Sequence, residues 1–224
     1  MKIIFLSSDY QDKTKRYGDC ILIIFNNQML VYDCGSKEHA LRVVKEMNKL
    51  GIKKINGVLS HNDSDHVEGF KTLIQLGKIN TIYTICALKH KNTIYKKMNN
   101  KRYSIDNLAT HITDSYDNIA ELSGHLTDIY TSSNTLIDTE IFPNVKIVSP
   151  SYDYATDTIA KDINSYQSNS KDGDTVKNAP CVCLKIEYRN ESLLLTGDST
   201  FVNIEQHLDG LTYIQCPRHC HVGR

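Results

Sequence analysis

The segment that decides the fold is Val58–Phe70, with the sequence VLSHNDSDHVEGF. Four side chains that can bind a metal ion lie within six of its residues: His61, Asp63, Asp65 and His66. An apolar run with β character (52–60) precedes them, and apolar residues at helical spacing follow, which predicts a strand, a tight loop and a helix. Because residues two apart in an extended loop point to the same side, His61 and Asp63 can converge on one ion. Asp65 and His66 enter the helix and can face a second ion.

Helix capping is the alternative explanation for this segment. Asp65, followed three residues later by Glu68, resembles a capping box, and the histidines would then be incidental. Capping accounts for one carboxylate and leaves His61, Asp63 and His66 unexplained. We therefore favour a site for a borderline-to-hard divalent cation.

The pattern His-x-Asp-x-Asp-His resembles the signature of the metallo-β-lactamase superfamily, His-x-His-x-Asp-His, with Asp63 in place of the second histidine. This variant is typical of the hydrolase domain attached to ComEC-type DNA-uptake channels and of its stand-alone relatives. The resemblance implies an α/β fold of the αββα sandwich type, with two mixed β-sheets flanked by helices. It also implies that residues 1–224 form a single domain.

The chain before the loop carries further landmarks. Gly18-Asp19-Cys20 and Asp33-Cys34-Gly35 bracket two apolar runs joined by an asparagine turn, which predicts a β-hairpin. They resemble the opening of the family, in which the residue corresponding to Asp33 braces the metal loop without binding the metal. A plain hairpin with turn chemistry at Asp33 is the alternative. A helix over Glu38–Leu50, ended by Gly51, is expected next.

The second half of the predicted site lies near the C-terminus. The apolar run 193–195 leads to Thr196-Gly197-Asp198, and Asp198 resembles the aspartate that bridges two metals in the family, although a Gly-Asp pair is often only a turn. The closing run 211–219 resembles a Pro-His-His-Gly ending in which Arg218 replaces the first histidine and Cys220 the glycine. We favour His219 as the ligand and keep His221 as an alternative. A small zinc cluster of Cys216, His219, Cys220 and His221 is less consistent with known ligand spacing.

The resemblance thus implies a ligand set and catalytic residues. The metal ligands are His61, Asp63, Asp65, His66, Asp198 and His219, with Asp65 and Asp198 as the catalytic residues. The third histidine of many superfamily members has no clear counterpart. His125 is the best candidate, ahead of His90 and His111.

Residues 89–135 are predicted to be a polar insertion. Part of it is expected to be helical, because apolar residues recur at helical spacing in 119–129. Basic residues with neighbouring tyrosines can hold phosphates and stack bases. The residues expected to contact a substrate phosphate are Lys96, Lys97, Lys101 and Arg102, together with Arg218. A solvated helical face is the alternative for this basic run.

Composition sets limits on partners and location. The 26 basic residues balance 26 acidic residues among 224, so no general attraction to nucleic acid or to anionic membranes is expected. No signal peptide or membrane-spanning segment is evident. Seven cysteines without a secretory signal favour reduced thiols and a cytoplasmic location. A further domain or partner protein is compatible with the sequence, as is a truncation at Arg224, since the family usually continues with further elements.

Two adjacent divalent cations, zinc or manganese with magnesium as a further option, would generate a hydroxide near neutral pH. Asp63 adds oxygen ligation, which shifts preference toward manganese or magnesium and fits phosphoryl chemistry. We therefore expect a phosphodiesterase or nuclease acting on nucleic acid or a nucleotide. The alternatives are a lactonase, β-lactamase or thioesterase acting on another small molecule, and a metal-binding sensor domain without activity.

Overall fold

The computed structural model describes residues 1–6, 18–99, 104–131, 135–164 and 178–216. The chain divides into two compact units. The first comprises Met1–Thr84 and Ile119–Asp128, and the second comprises Ile85–Asn118 and Ile129–Arg224. The expectation of a single domain stays a prediction.

The first unit contains a six-stranded mixed sheet in the order β1-β2-β3-β4-β5-β6. The strands β1 to β3 pair antiparallel, and β3 to β6 pair parallel. The strand bounds are β1 Lys2–Phe5, β2 Ile21–Phe25, β3 Gln28–Tyr32, β4 Ile55–Val58, β5 Ile79–Thr84 and β6 Leu126–Asp128. The hairpin between β2 and β3 turns through Asn26 and Asn27, both with positive φ, as a two-residue hairpin loop favours.

Two helices, α1 (Lys37–Leu50) and α2 (Ser64–Gln75), pack on this sheet. The hydroxyl of Ser36 caps α1 by accepting a hydrogen bond from the His39 amide (3.1 Å), and Gly51 ends the helix in the left-handed conformation. The predicted helix and its C-cap are therefore confirmed. On α2, the buried ring of Phe70 lies over Gly57 of β4, where an added Cβ would be 2.5 Å from the ring. This close packing fixes the start of α2 relative to the end of β4.

The second unit contains a five-stranded mixed sheet in the order β11-β10-β9-β8-β7. Only the pairing of β10 with β11 is parallel. The strand bounds are β7 Glu140–Phe142, β8 Val145–Ser149, β9 Cys183–Tyr188, β10 Glu191–Leu195 and β11 Tyr213–Ile214. The helix bounds are α3 Lys91–Lys97, α4 Ile105–Ser115, α5 Tyr152–Asn164 and α6 Phe201–Ile204. Helices α3, α4 and α5 share one apolar cluster, and Ile204 of α6 packs against β8, β9 and β10.

The expected fold class, α/β with two mixed sheets flanked by helices, is confirmed. Residues 89–135 are partly helical, as expected, since they contain α3 and α4. The helical interpretation of the apolar spacing in 119–129 is wrong. Residues Ala120–Leu122 form one 3-10 turn, and Leu126–Asp128 form β6, which pairs with β5. The three-to-four spacing of apolar residues there reflects burial of a turn and a strand, and strand pairing overrides it. Within the described ranges no helix could cross a bilayer, since the longest, α1, has 14 residues.

Candidate metal centre

The loop that carries the predicted ligands joins the last residue of β4, Val58, to the first residue of α2, Ser64. Asp63 occupies the N-cap position, but its side chain makes no capping hydrogen bond. Asp65 lies inside the first turn of the helix. The capping-box explanation for Asp65 is therefore wrong, and neither carboxylate is held by a cap.

Asp33 anchors this loop from the end of β3. It is fully buried, and its φ of 55° is a strained conformation for a residue other than glycine. One carboxylate oxygen, Oδ1, accepts the Ser60 amide at 2.7 Å, and the other, Oδ2, accepts the Ser60 hydroxyl at 2.7 Å. The Nδ1 atom of His66 lies 2.9 Å from the same Oδ2. The expectation that Asp33 braces the loop agrees with these contacts.

Counting donors in this network assigns the protons of both imidazoles. An ionised Asp33 only accepts, so the Ser60 hydroxyl and His66 Nδ1 must both donate to it. The Ser60 oxygen is then an acceptor for His61 Nδ1, which lies 2.9 Å away. Each ring therefore carries its proton on Nδ1 and keeps the lone pair on Nε2. The two ring centroids are 4.2 Å apart. A carboxylate that fixes the tautomer of a histidine in this way is common behind metal-binding histidines.

His61 and Asp63 lie close enough to share one ion. The Nε2 atom of His61 is buried, and it makes no hydrogen bond to any part of the chain that the structure describes. Asp63 Oδ2 lies 3.5 Å from it. Two ligands roughly 2.0–2.1 Å from a tetrahedral zinc ion are themselves roughly 3.4 Å apart. The predicted convergence of these two side chains agrees with this distance, and the donor set fits a divalent cation.

Two glycines hold the first turn of α2 against the hairpin. The Asp65 carbonyl accepts the Asp19 amide at 3.0 Å. A Cβ on Gly35 would lie 1.7 Å from that carbonyl oxygen, and one on Gly18 would lie 2.3 Å from it. These contacts give a physical reason for Gly18 and for Gly35, because only glycine leaves room for the Asp65 backbone at this contact.

Asp198 belongs to the second unit, where it follows β10 in a turn. It is partly exposed, and the buried Asn178 donates to its Oδ2 at 3.4 Å. Thus the structure brings together the side chains of His61, Asp63, His66 and Asp33 within the first unit, and it places Asp65 in the first turn of α2. The predicted Arg218, His219 and His221, and also Lys101 and Arg102, lie outside the described residues.

Two further predicted positions lie in the described parts of the chain. His125 immediately precedes β6, at the amino end of the parallel strands, whereas the metal loop follows the carboxyl end of β4. Its role as a third ligand stays a prediction. Lys97 forms ion pairs with Asp153 (3.0 Å) and Asp157 (2.9 Å), so a phosphate would compete with two carboxylates for it, and its contact with a substrate stays a prediction.

Sequence reasoning missed Ser60 and Asp128. Ser60 links both histidines to Asp33, and the only sequence signal was a hydroxyl residue at the strand end. Asp128 is a buried carboxylate at the carboxyl end of β6, on the edge of the sheet that carries the metal loop. Its position could have been recognised only once 126–128 was known to be a strand parallel to β5.

No protein-family model matches the sequence, and no curated protein matches it significantly. Among solved structures, the chain is similar to DIM-1 metallo-β-lactamase, with 14% identity, a TM-score of 0.49, and coverage of 87% of this chain and 64% of that one. It is similar to YhfI, a metallo-β-lactamase fold protein from Bacillus subtilis, with 12% identity, a TM-score of 0.42, and coverage of 88% and 62%. It is also similar to AidC, a dizinc quorum-quenching lactonase, with 14% identity, a TM-score of 0.41, and coverage of 81% and 56%. The chain spans less than two thirds of each of these three proteins.

Proposed function

We propose that this chain is a metal-dependent hydrolase of the metallo-β-lactamase type, most similar to the ComEC-like group. The metal ligands implied by the resemblance would be His61, Asp63, Asp65, His66, Asp198 and His219. The observation that carries the proposal is the Asp33 network, which directs the proton of each imidazole to Nδ1 and leaves the lone pair of each Nε2 atom available to a metal ion.

The residues of the chain would divide the work as follows. Asp33 and Ser60 would hold the rings of His61 and His66 in the tautomer that binds metal. Asp63 would share an ion with His61, and Asp65 and Asp198 would complete the site. Two divalent ions, when bound, would lower the pKa of a bound water and polarise the bond under attack. Because Asp63 contributes oxygen where a second histidine is usual, manganese or magnesium would be preferred over zinc.

We propose a phosphodiester as the substrate, in a nucleic acid or a nucleotide. An oxygen-rich site for two hard cations suits phosphoryl transfer. Among the predicted phosphate contacts, Lys96 of α3 is exposed, and Arg218, Lys101 and Arg102 are further candidates. We also propose a cytoplasmic location, because seven cysteines without a secretory signal favour reduced thiols.

The test supplies the purified chain with manganese and zinc separately. The substrates are bis(p-nitrophenyl) phosphate, single-stranded DNA, an acyl-homoserine lactone and a chromogenic β-lactam. We expect manganese-stimulated diester cleavage, and we expect Asp65→Asn to lower kcat at least ~100-fold, beyond the usual loss for residues behind the ligands. Asp162→Asn is the matched control, because it removes one carboxylate charge from α5, where Asp162 accepts from the hydroxyl of Tyr116 at the C-cap of α4.

Two outcomes would contradict the proposal. Turnover of the lactone or the β-lactam without any diester cleavage would assign a different substrate class. Tight metal binding without turnover of any substrate would instead indicate a sensor domain.

A further inference from the structure

We propose that Gln215 is the positioning residue that fixes the direction of the Asp198 carboxylate. The inference rests on the proposed metal centre and adds to it a residue that neither touches the metal nor belongs to the signature. All the contacts that carry it lie within the second unit.

Asp198 is presented by a tight turn at the exit of β10. The Ser199 amide donates to the Thr196 carbonyl at 3.2 Å, and Gly197 has a positive φ of 52°. Thr196 is fully buried. Two successive amides of this turn, those of Thr196 and Gly197, therefore need an acceptor inside the protein, because a buried amide left without one costs about 1–3 kcal/mol.

Gln215 supplies that acceptor. Its side-chain Oε1 accepts the Thr196 amide at 3.1 Å and the Gly197 amide at 3.4 Å. Its backbone is itself fixed, because its amide donates to the Leu194 carbonyl at 2.8 Å and its carbonyl accepts the Thr196 hydroxyl at 3.1 Å. Gln215 thus clamps the turn from the end of β11, immediately before the carboxylate that the metal would bind.

The other side of the turn is also held. Asn203 is buried and donates from its amide to the Ser199 hydroxyl (2.7 Å) and to the Cys181 carbonyl (3.1 Å). Residues on both sides of Asp198 are therefore tied to the sheet. The side chain of Gln215 holds the amides of the two residues before Asp198, and its loss would leave both amides without that acceptor.

The chemistry of this contact provides a selective test. The side-chain contacts with the Thr196 and Gly197 amides are both made by the acceptor oxygen Oε1, so Gln215→Glu keeps an acceptor there and Gln215→Leu removes it at similar volume. Gln206 is an exposed glutamine of the same unit, and Gln206→Leu is the matched control.

Two readouts are measured on the full chain. Amide hydrogen exchange of Thr196 and Gly197 in the metal-free protein reports the clamp. Competition with a chromogenic chelator reports the affinity for zinc and manganese. We expect Gln215→Leu to lose at least ~10-fold protection at these two amides and ~10–100-fold in metal affinity, as residues behind the ligands do. Gln215→Glu should retain the protection, and Gln206→Leu should match the wild type in both.

The outcomes separate the two proposals. If the wild type binds metal and Gln215→Leu binds it equally well, the positioning role is wrong while the metal centre stands. Equal loss of protection in Gln215→Glu and Gln215→Leu would also contradict the role of the acceptor oxygen. If the wild type binds no metal, the proposed function fails, and the positioning role fails with it.

Discussion

Replacing Asp33 by asparagine should convert both histidines of the metal loop to the tautomer that cannot bind metal. In the wild type, Oδ2 of Asp33 accepts from the Ser60 hydroxyl and from His66 Nδ1. In Asp33→Asn, Oδ1 can still accept the Ser60 amide, but an NH2 group takes the place of Oδ2. The Ser60 hydroxyl and His66 Nδ1 would then both donate toward an NH2 group that is itself a donor, so the direction of these hydrogen bonds has to reverse.

The reversal has a defined end point. The new NH2 donates to the Ser60 oxygen and to His66 Nδ1, and the Ser60 hydroxyl then donates to His61 Nδ1. Both rings would then carry their proton on Nε2, the atom that would bind the metal. Every hydrogen bond is retained in neutral form, so the free energy of unfolding of the metal-free protein should fall by only about 2 kcal/mol.

Metal affinity should fall far more than this stability loss suggests. To bind an ion, each ring must return its proton to Nδ1 against a donor, which costs about 1.5–3 kcal/mol per ring, the value of a charge-assisted hydrogen bond. That corresponds to ~10–100-fold in affinity at each histidine. Ser60→Ala should show a smaller loss, because it leaves the contact between His66 and Asp33 in place.

Nitrogen-15 NMR of the imidazole rings and competition with a chromogenic chelator measure the two effects. The wild type should show the Nδ1–H form of both rings, and Asp33→Asn the Nε2–H form with weaker zinc binding. Asp162→Asn controls for the loss of one carboxylate charge. Unchanged tautomers together with unchanged zinc affinity in Asp33→Asn would refute the donor count from which the ligand atoms were derived.

Two further predictions concern stability. Gly35→Ala places a Cβ 1.7 Å from the backbone carbonyl oxygen of Asp65, so the free energy of unfolding measured in urea should fall by at least ~3 kcal/mol. Gly51→Ala should cost about 1 kcal/mol, because its Cβ meets nothing within 4 Å and only the positive φ is unfavourable. Equal losses in the two variants would contradict the close contact between Gly35 and Asp65. Burial first, and then the charge and hydrogen bond of Asp162, raise the pKa of Tyr116 above its usual value of 10, so the neutral phenol favours the folded state at low pH and that contribution is lost as the pH rises above 10. The free energy of unfolding, measured in urea between pH 9 and 11, should therefore fall more steeply with pH for the wild type than for Tyr116→Phe, by up to about 1.4 kcal/mol per pH unit. Parallel curves for the two proteins would contradict the raised pKa of Tyr116.

Local patterns in the sequence predicted the parts of the fold that depend on local chemistry. The hairpin follows from its asparagine turn, and α1 follows from apolar spacing and the glycine at its end. The position of the His-x-Asp-x-Asp-His loop follows from the apolar strand before it and the helical spacing of apolar residues after it. These features depend on residues close together in the chain, so that a single sequence contains them.

Features that depend on partners distant in sequence were not predictable. Residues 126–128 form a strand because β5 offers a free parallel edge, which the apolar spacing did not reveal. Ser60 gains its role from Asp33, 27 residues away. Gln215 gains its role from a turn 18 and 19 residues before it. A hydroxyl or amide side chain has no pattern of its own in the sequence, so its function becomes visible only from what it touches.

The most direct test of the metal centre is a crystal of the full chain grown with manganese or zinc and measured at the absorption edge of that metal. The proposal predicts anomalous peaks at about 2.0–2.2 Å from the Nε2 atoms of His61 and His66, with a carboxylate oxygen of Asp198 bound to at least one ion. Metal peaks elsewhere, with both imidazoles outside coordinating distance of any ion, would contradict it.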